Sequence, residues 1–134
     1  MRINKAVFRY IEFELYNYEQ TKKDLELERE RILDSSPCQE VAVQSDIGDS
    51  TANKAIKLTS SAFILKAEKI VNAINKSLDI LGDSHNKLFD LRYIDGRPEK
   101  EVYLVMNISR GHYFKVRREL VETVGLQLGL LRFK

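Results

Sequence analysis

Two long stretches of the chain repeat apolar residues at helical spacing. From residue 8 to 33 neither Gly nor Pro interrupts, and Ile11, Leu15, Tyr18, Leu25 and Ile32 follow one another in steps of three and four or their multiples. This pattern predicts one long helix. Lys22 and Arg29 occupy positions of the same stripe, which weakens it as the seam of an extended parallel coiled coil. The aromatic residues Phe8, Tyr10, Phe13, Tyr16 and Tyr18 crowd its first turns without a basic cluster around them, so they read as a packing surface and not as a platform for stacked bases. A second pattern, from about residue 53 to 81, puts Ile56, Phe63, Ala67, Ile70, Ile74, Leu78 and Leu81 on one side, and Gly82 ends it. Helices of this size are each about 40 Å long, and an antiparallel hairpin is the natural way for them to pack. Their connection, residues 35–52, holds Pro37, Gly48, four serines and several acids, and is expected to be the most mobile segment.

The C-terminal part reads as three shorter helices. Residues 85–94 place Leu88, Leu91 and then Tyr93 or Ile94 on a common side, and the Asp95-Gly96 pair closes them with a turn. Pro98 suits the first turn of the next helix, which continues to Met106 without a breaker. Asn107 tolerates the left-handed backbone that a tight helix–helix turn requires, and Ser109 is placed to cap a last helix over residues 110–124. Residues lie about 100° apart around a helix, so Tyr113, Val116, Leu120 and Val124 share its inward face. The expected fold is therefore all-α: an N-terminal helical hairpin over residues 1–83, followed by a tri-helical helix-turn-helix unit over residues 84–134.

Charge gives the last helix its meaning. The chain as a whole carries a net charge of only +2, yet residues 84–134 hold 10 Lys/Arg against 6 Asp/Glu while residues 1–83 hold 12 against 14. Between Arg110 and Arg118 there are four cations and no acid. A helix with a capped N-terminus, first-turn amides free to bind an anion, and basic residues opposite its apolar stripe has the form of a recognition helix for double-stranded DNA. The expected DNA contacts are Ser109, Arg110, Gly111, His112, Phe114, Lys115, Arg117 and Arg118. Arg110 can pair in bidentate fashion with guanine. Phe114 has two readings, contact with a thymine methyl or cover for the core. Gly111 also has two, close approach to the DNA backbone or a substitution without function.

Other chemistry is not signalled. His85 and His112 lie far apart in sequence and neither has metal-ligand spacing; both read as surface residues, with His112 a phosphate contact. Gly111, Gly125 and Gly129 form no nucleotide fingerprint, and the acids Glu26, Glu28 and Glu30 point in different directions from their helix. The single cysteine, Cys38, has no partner for an internal disulfide and no neighbouring His or Cys to share a metal. No apolar run approaches a membrane span, and the first residues lack the apolar segment of a secretory signal. The expectation is a cytoplasmic protein that is not an enzyme, with no catalytic residue, metal, cofactor or membrane association.

Three segments resemble the late transcription regulators of phages and prophages of the RinA and ArpU type, whose C-terminal halves are similar to region 4 of bacterial sigma factors. They are RYIEFELYNYEQTKKDLELERERILDSSP at 9–37, TANKAIKL at 51–58 and NISRGHYFKVRREL at 107–120. The resemblance, which with the intervening helices spans nearly the whole chain, implies promoter binding, activation of late phage genes and contact with RNA polymerase. The chain departs from it at Tyr103, where sigma-like motifs place a small residue so that two helices can approach closely. Two other functions fit the same pattern: a DNA-packaging component of the small terminase type, and a helical protein-binding adaptor. The long stripes of the hairpin either bury each other or supply a surface for a homo-oligomer.

Overall fold

The computed structural model describes residues 3–42 and 47–131, with side chains over 3–33 and 61–131. Among the described residues every regular element is helical, as the apolar spacing requires. The order is α1 (Lys5–Tyr16), α2 (Tyr18–Ala42), α3 (Ile47–Ile80), α4 (Asp83–Leu88), a π-helical segment (Phe89–Ile94), α5 (Glu99–Val105) and α6 (Arg110–Gln127).

The first apolar stripe is carried by two helices instead of one. Asn4 caps α1 by accepting from the Ala6 N–H at 2.8 Å, and the break comes at Asn17. There the side-chain amide of Asn17 donates to the Phe13 carbonyl at 2.7 Å, alongside its own backbone N–H at 3.1 Å. A short amide side chain that competes for the helix carbonyls ends a helix even where the apolar spacing continues. Of the connection expected over residues 35–52, residues 35–42 belong to α2 and 47–52 to α3, with Pro37 inside the span of α2. Residues 43–46 and the Cys38 side chain lie outside what is described.

The chain forms two compact units, one from residues 1–19 and 70–134 and the other from residues 20–69. The division expected at residue 83 therefore falls elsewhere: α1 and the end of α3 belong with the C-terminal helices. Ile11 and Leu15 of α1 and Ile74 of α3 are fully buried in one core with Leu88, Val102, Tyr113, Leu120, Val121 and Val124. The cause is visible in α6. It buries Val121 and Gly125 beside the expected stripe, so its apolar surface is too broad for α4 and α5 to cover alone. At Gly125 a Cβ would stand 2.9 Å from Ile11 Cδ1 and 2.7 Å from Leu131 Cδ1, so the missing side chain lets both reach the helix. In the second unit Leu25 and Ala67 are buried, and Arg29 of α2 is paired with Glu68 of α3.

The third helix expected at 85–94 begins at Asp83 as α4 and widens at Phe89 into the π-helical segment, where the Asp95 N–H bonds to the Asp90 carbonyl at 2.9 Å. Phe89 and Tyr93 enter the core with Leu88, and Leu91 and Ile94 stay half-buried. Gly96, at φ 71°, turns the chain at the expected place. Pro98 stands one residue ahead of its expected helical position, as the N-cap of α5. Asn107 has φ 58°, and the Ile108 N–H returns to the Tyr103 carbonyl at 3.1 Å. The turn into α6 is as the sequence predicts, and the Ser109 hydroxyl accepts from the His112 N–H at 3.1 Å.

Candidate nucleic-acid interface

Helix α6 separates its residues into two sets. Tyr113, Val116, Leu120 and Val124 are buried, as their spacing requires. Ser109, Arg110, Gly111, His112, Lys115 and Arg118 are exposed along the N-terminal half. Among the described residues none of Arg110, Lys115 and Arg118 is held in an ion pair, so their charge stands toward solvent. The first acid along the helix, Glu119, lies 3.8 Å from His85. His85 is not the surface histidine expected: its side chain is largely covered.

Arg117 lies on the side of the buried set, half-buried itself. Four residues after Tyr113 and three before Leu120, it sits on the apolar stripe itself, and only 18% of its side chain is exposed. Its guanidinium donates from Nε to Glu12 Oε2 at 2.9 Å and from Nη2 to Glu12 Oε1 at 2.7 Å. A third nitrogen stands 3.5 Å from Glu99. Burial works against the charge of Arg117, but the hydrogen bonds and charge of Glu12, then Tyr93, outweigh it and hold the pKa above the ordinary arginine value. The Tyr93 hydroxyl also donates to Glu12, at 2.8 Å, and burial followed by the Glu12 charge raises its pKa well above the usual phenol value. Arg117 is thus a structural cation that joins α6 to α1 and the π-helical segment, in place of the DNA contact expected of it. Breaking one partner of such a covered pair leaves the other uncompensated, which is why these pairs are costly to cut.

Phe114 occupies the border between the two sets. It is half-buried, with its ring edge-to-face against Tyr113 at 5.3 Å. The guanidinium carbon of Arg110 lies 5.3 Å from the Phe114 centroid, and that of Arg117 lies 5.9 Å away. Arg117 in turn is 5.2 Å from the ring of Phe8 on α1. Gly111 borders open space, since a Cβ there would have no atom within 4 Å. Tyr103 packs its ring against Tyr113 at 5.9 Å, so the large residue in the middle of α5 is accommodated by ring contact with α6.

Sequence reasoning missed Glu12 and read Phe8 only as part of a packing surface. They lie one turn apart on α1, which is the only signal the chain gives, and neither names a partner more than a hundred residues away. Among the described residues no group of three His, Cys, Asp or Glu side chains is placed to hold a metal ion, and no helix is long and apolar enough to cross a membrane. In comparisons with known proteins, no family model matches the chain, and no curated protein or solved structure matches it either.

Proposed function

We propose that the chain binds double-stranded DNA in a sequence-specific manner through the N-terminal half of α6, as a regulator of transcription. The observation that carries the reading is the division of charge on α6: Arg117 is taken up by the fold, while Arg110, Lys115 and Arg118 stand exposed beside a capped helix N-terminus. Lys115 and Arg118 serve phosphates, for which charge matters more than geometry. The first-turn amides and the positive end of the helix add a further phosphate site, with His112 next to it. Gly111 leaves room for the sugar-phosphate backbone. Arg110 is the group suited to a base edge.

A single helix in the groove reads only a few base pairs, so specificity calls for a second copy of the chain or a DNA-bound partner such as RNA polymerase. Activation of late phage genes is the role that the resemblance of residues 9–37, 51–58 and 107–120 supports. The test is selection of bound duplexes from a randomised pool by the full chain at moderate salt. Recovery of one short sequence with a guanine whose selection depends on Arg110 supports the proposal. Recovery of DNA with no preference favours a packaging role, and no recovery at all favours a protein-binding adaptor.

A further inference from the structure

We infer that Phe114 is a positioning residue of this interface: its ring holds the Arg110 guanidinium in place for a base edge and links that placement to α1. The inference rests on the DNA-binding reading above. An exposed arginine on a helix samples many rotamers, and ordering it on DNA costs affinity and blurs the angle of its planar fork. Here Arg110 and Phe114 are one helical turn apart, and the guanidinium lies over the ring at 5.3 Å. The attraction between a cation and the negative face of a ring gives the side chain a preferred orientation before DNA arrives.

The ring is itself fixed. Tyr113 meets it edge-to-face from the core, and Arg117 lies 5.9 Å from its centroid. Two guanidinium groups beside one ring repel each other. Glu12 offsets that repulsion, because its carboxylate takes two hydrogen bonds from Arg117 and balances the charge that Arg117 keeps. The result is a succession of Phe8, Arg117, Phe114 and Arg110 with an acid beside Arg117 at its inner end and, at its outer end, a cation that forms no ion pair among the described residues. Position 114 is therefore aromatic for its face, and a residue of similar bulk without a π-face would fill the space and leave Arg110 unguided.

The test compares the full-length wild type with Arg110→Ala, Phe114→Leu, Phe114→Tyr and the double variant Arg110→Ala/Phe114→Leu. Two quantities are read: base preference in duplex selection, and the proton shift of the Arg110 δ-methylene in the free protein, which a ring face moves upfield. Wild type and Phe114→Tyr should show the upfield shift, and Phe114→Leu should lose it. Phe114→Leu should also relax the same guanine position as Arg110→Ala, by about tenfold, and the double variant should be no worse than Arg110→Ala alone. Full guanine discrimination in Phe114→Leu overturns the inference, as does relaxation at a thymine instead, which would make the ring a direct base contact. An unshifted Arg110 δ-methylene in the wild type overturns it without any variant having to fold. An upfield shift in a wild type that binds no DNA shows the ring contact to be real but the DNA-binding reading to be wrong, and the positioning role falls with that reading.

Discussion

Tyr113 carries its hydroxyl into the core of the first unit, where among the described residues it has no hydrogen-bond partner. Burial, and after it the charge of Glu99, pushes its pKa up to about 12 from the usual 10.0. A phenol whose folded pKa lies above its unfolded value ionises more readily in the unfolded chain, so stability is at its full value below the unfolded pKa and is lost as pH rises toward the folded one. Stability should thus fall between about pH 10 and 12. Tyr113→Phe should be neutral or slightly stabilising at pH 7, because it removes a buried polar atom without a partner. It should also flatten the alkaline fall of the melting temperature; a Phe variant whose melting curve shifts with pH as steeply as the wild type would contradict this. The inward position of Tyr113 was legible from its spacing with Val116, Leu120 and Val124. Arg117 was expected to contact DNA because of its charge, although it stands four residues after Tyr113 and three before Leu120. What decided its role was Glu12, a partner that local periodicity cannot reveal.

At the scale of elements, the α5–turn–α6 segment was legible because each signal acts within a few residues. Ser109 caps its own helix, Asn107 takes the left-handed turn, and Pro98 precedes the first residue of α5 as its N-cap. Ser109→Ala should cost about 1 kcal/mol of stability, as loss of a capping hydroxyl does elsewhere. Gly111→Ala should act in the opposite sense. Open space around Gly111 means that the added methyl meets nothing, and alanine in a helix is about 0.5–1 kcal/mol better than glycine. If Gly111 serves close approach to the DNA backbone, the same variant melts higher and binds DNA more weakly, which thermal denaturation and titration with duplex read separately. The break at Asn17 and the π-helical segment were not legible. The first depends on one amide side chain turning back on the Phe13 carbonyl, and the second on how Phe89 and Tyr93 settle into a core made by other elements.

For the whole molecule, the decisive fact is that α1 and the end of α3 complete the core under α6. A fragment of residues 84–134 lacks Ile11, Leu15 and Ile74, and leaves Arg117 without Glu12. Losing a single buried aliphatic side chain of this size costs about 2–5 kcal/mol, so the loss of three exceeds the usual stability of a small domain. The fragment should therefore show no cooperative thermal transition by circular dichroism. The sequence patterns suggested a boundary at residue 83, just after Gly82, because helix ends mark themselves locally, while membership of a core depends on what a helix face meets. The central claim is that the cations of α6 divide, Arg117 holding the fold and Arg118 meeting DNA. Its most direct measurement pairs the melting temperature with the salt dependence of duplex binding in Arg117→Ala and Arg118→Ala. Arg118→Ala should melt close to the wild type and lower the slope of log affinity against log salt by about one unit. Arg117→Ala should lose about 3 kcal/mol of stability, because Glu12 is left covered and uncompensated. A stable Arg117→Ala with a reduced slope, beside an Arg118→Ala that binds as the wild type does, would contradict the account.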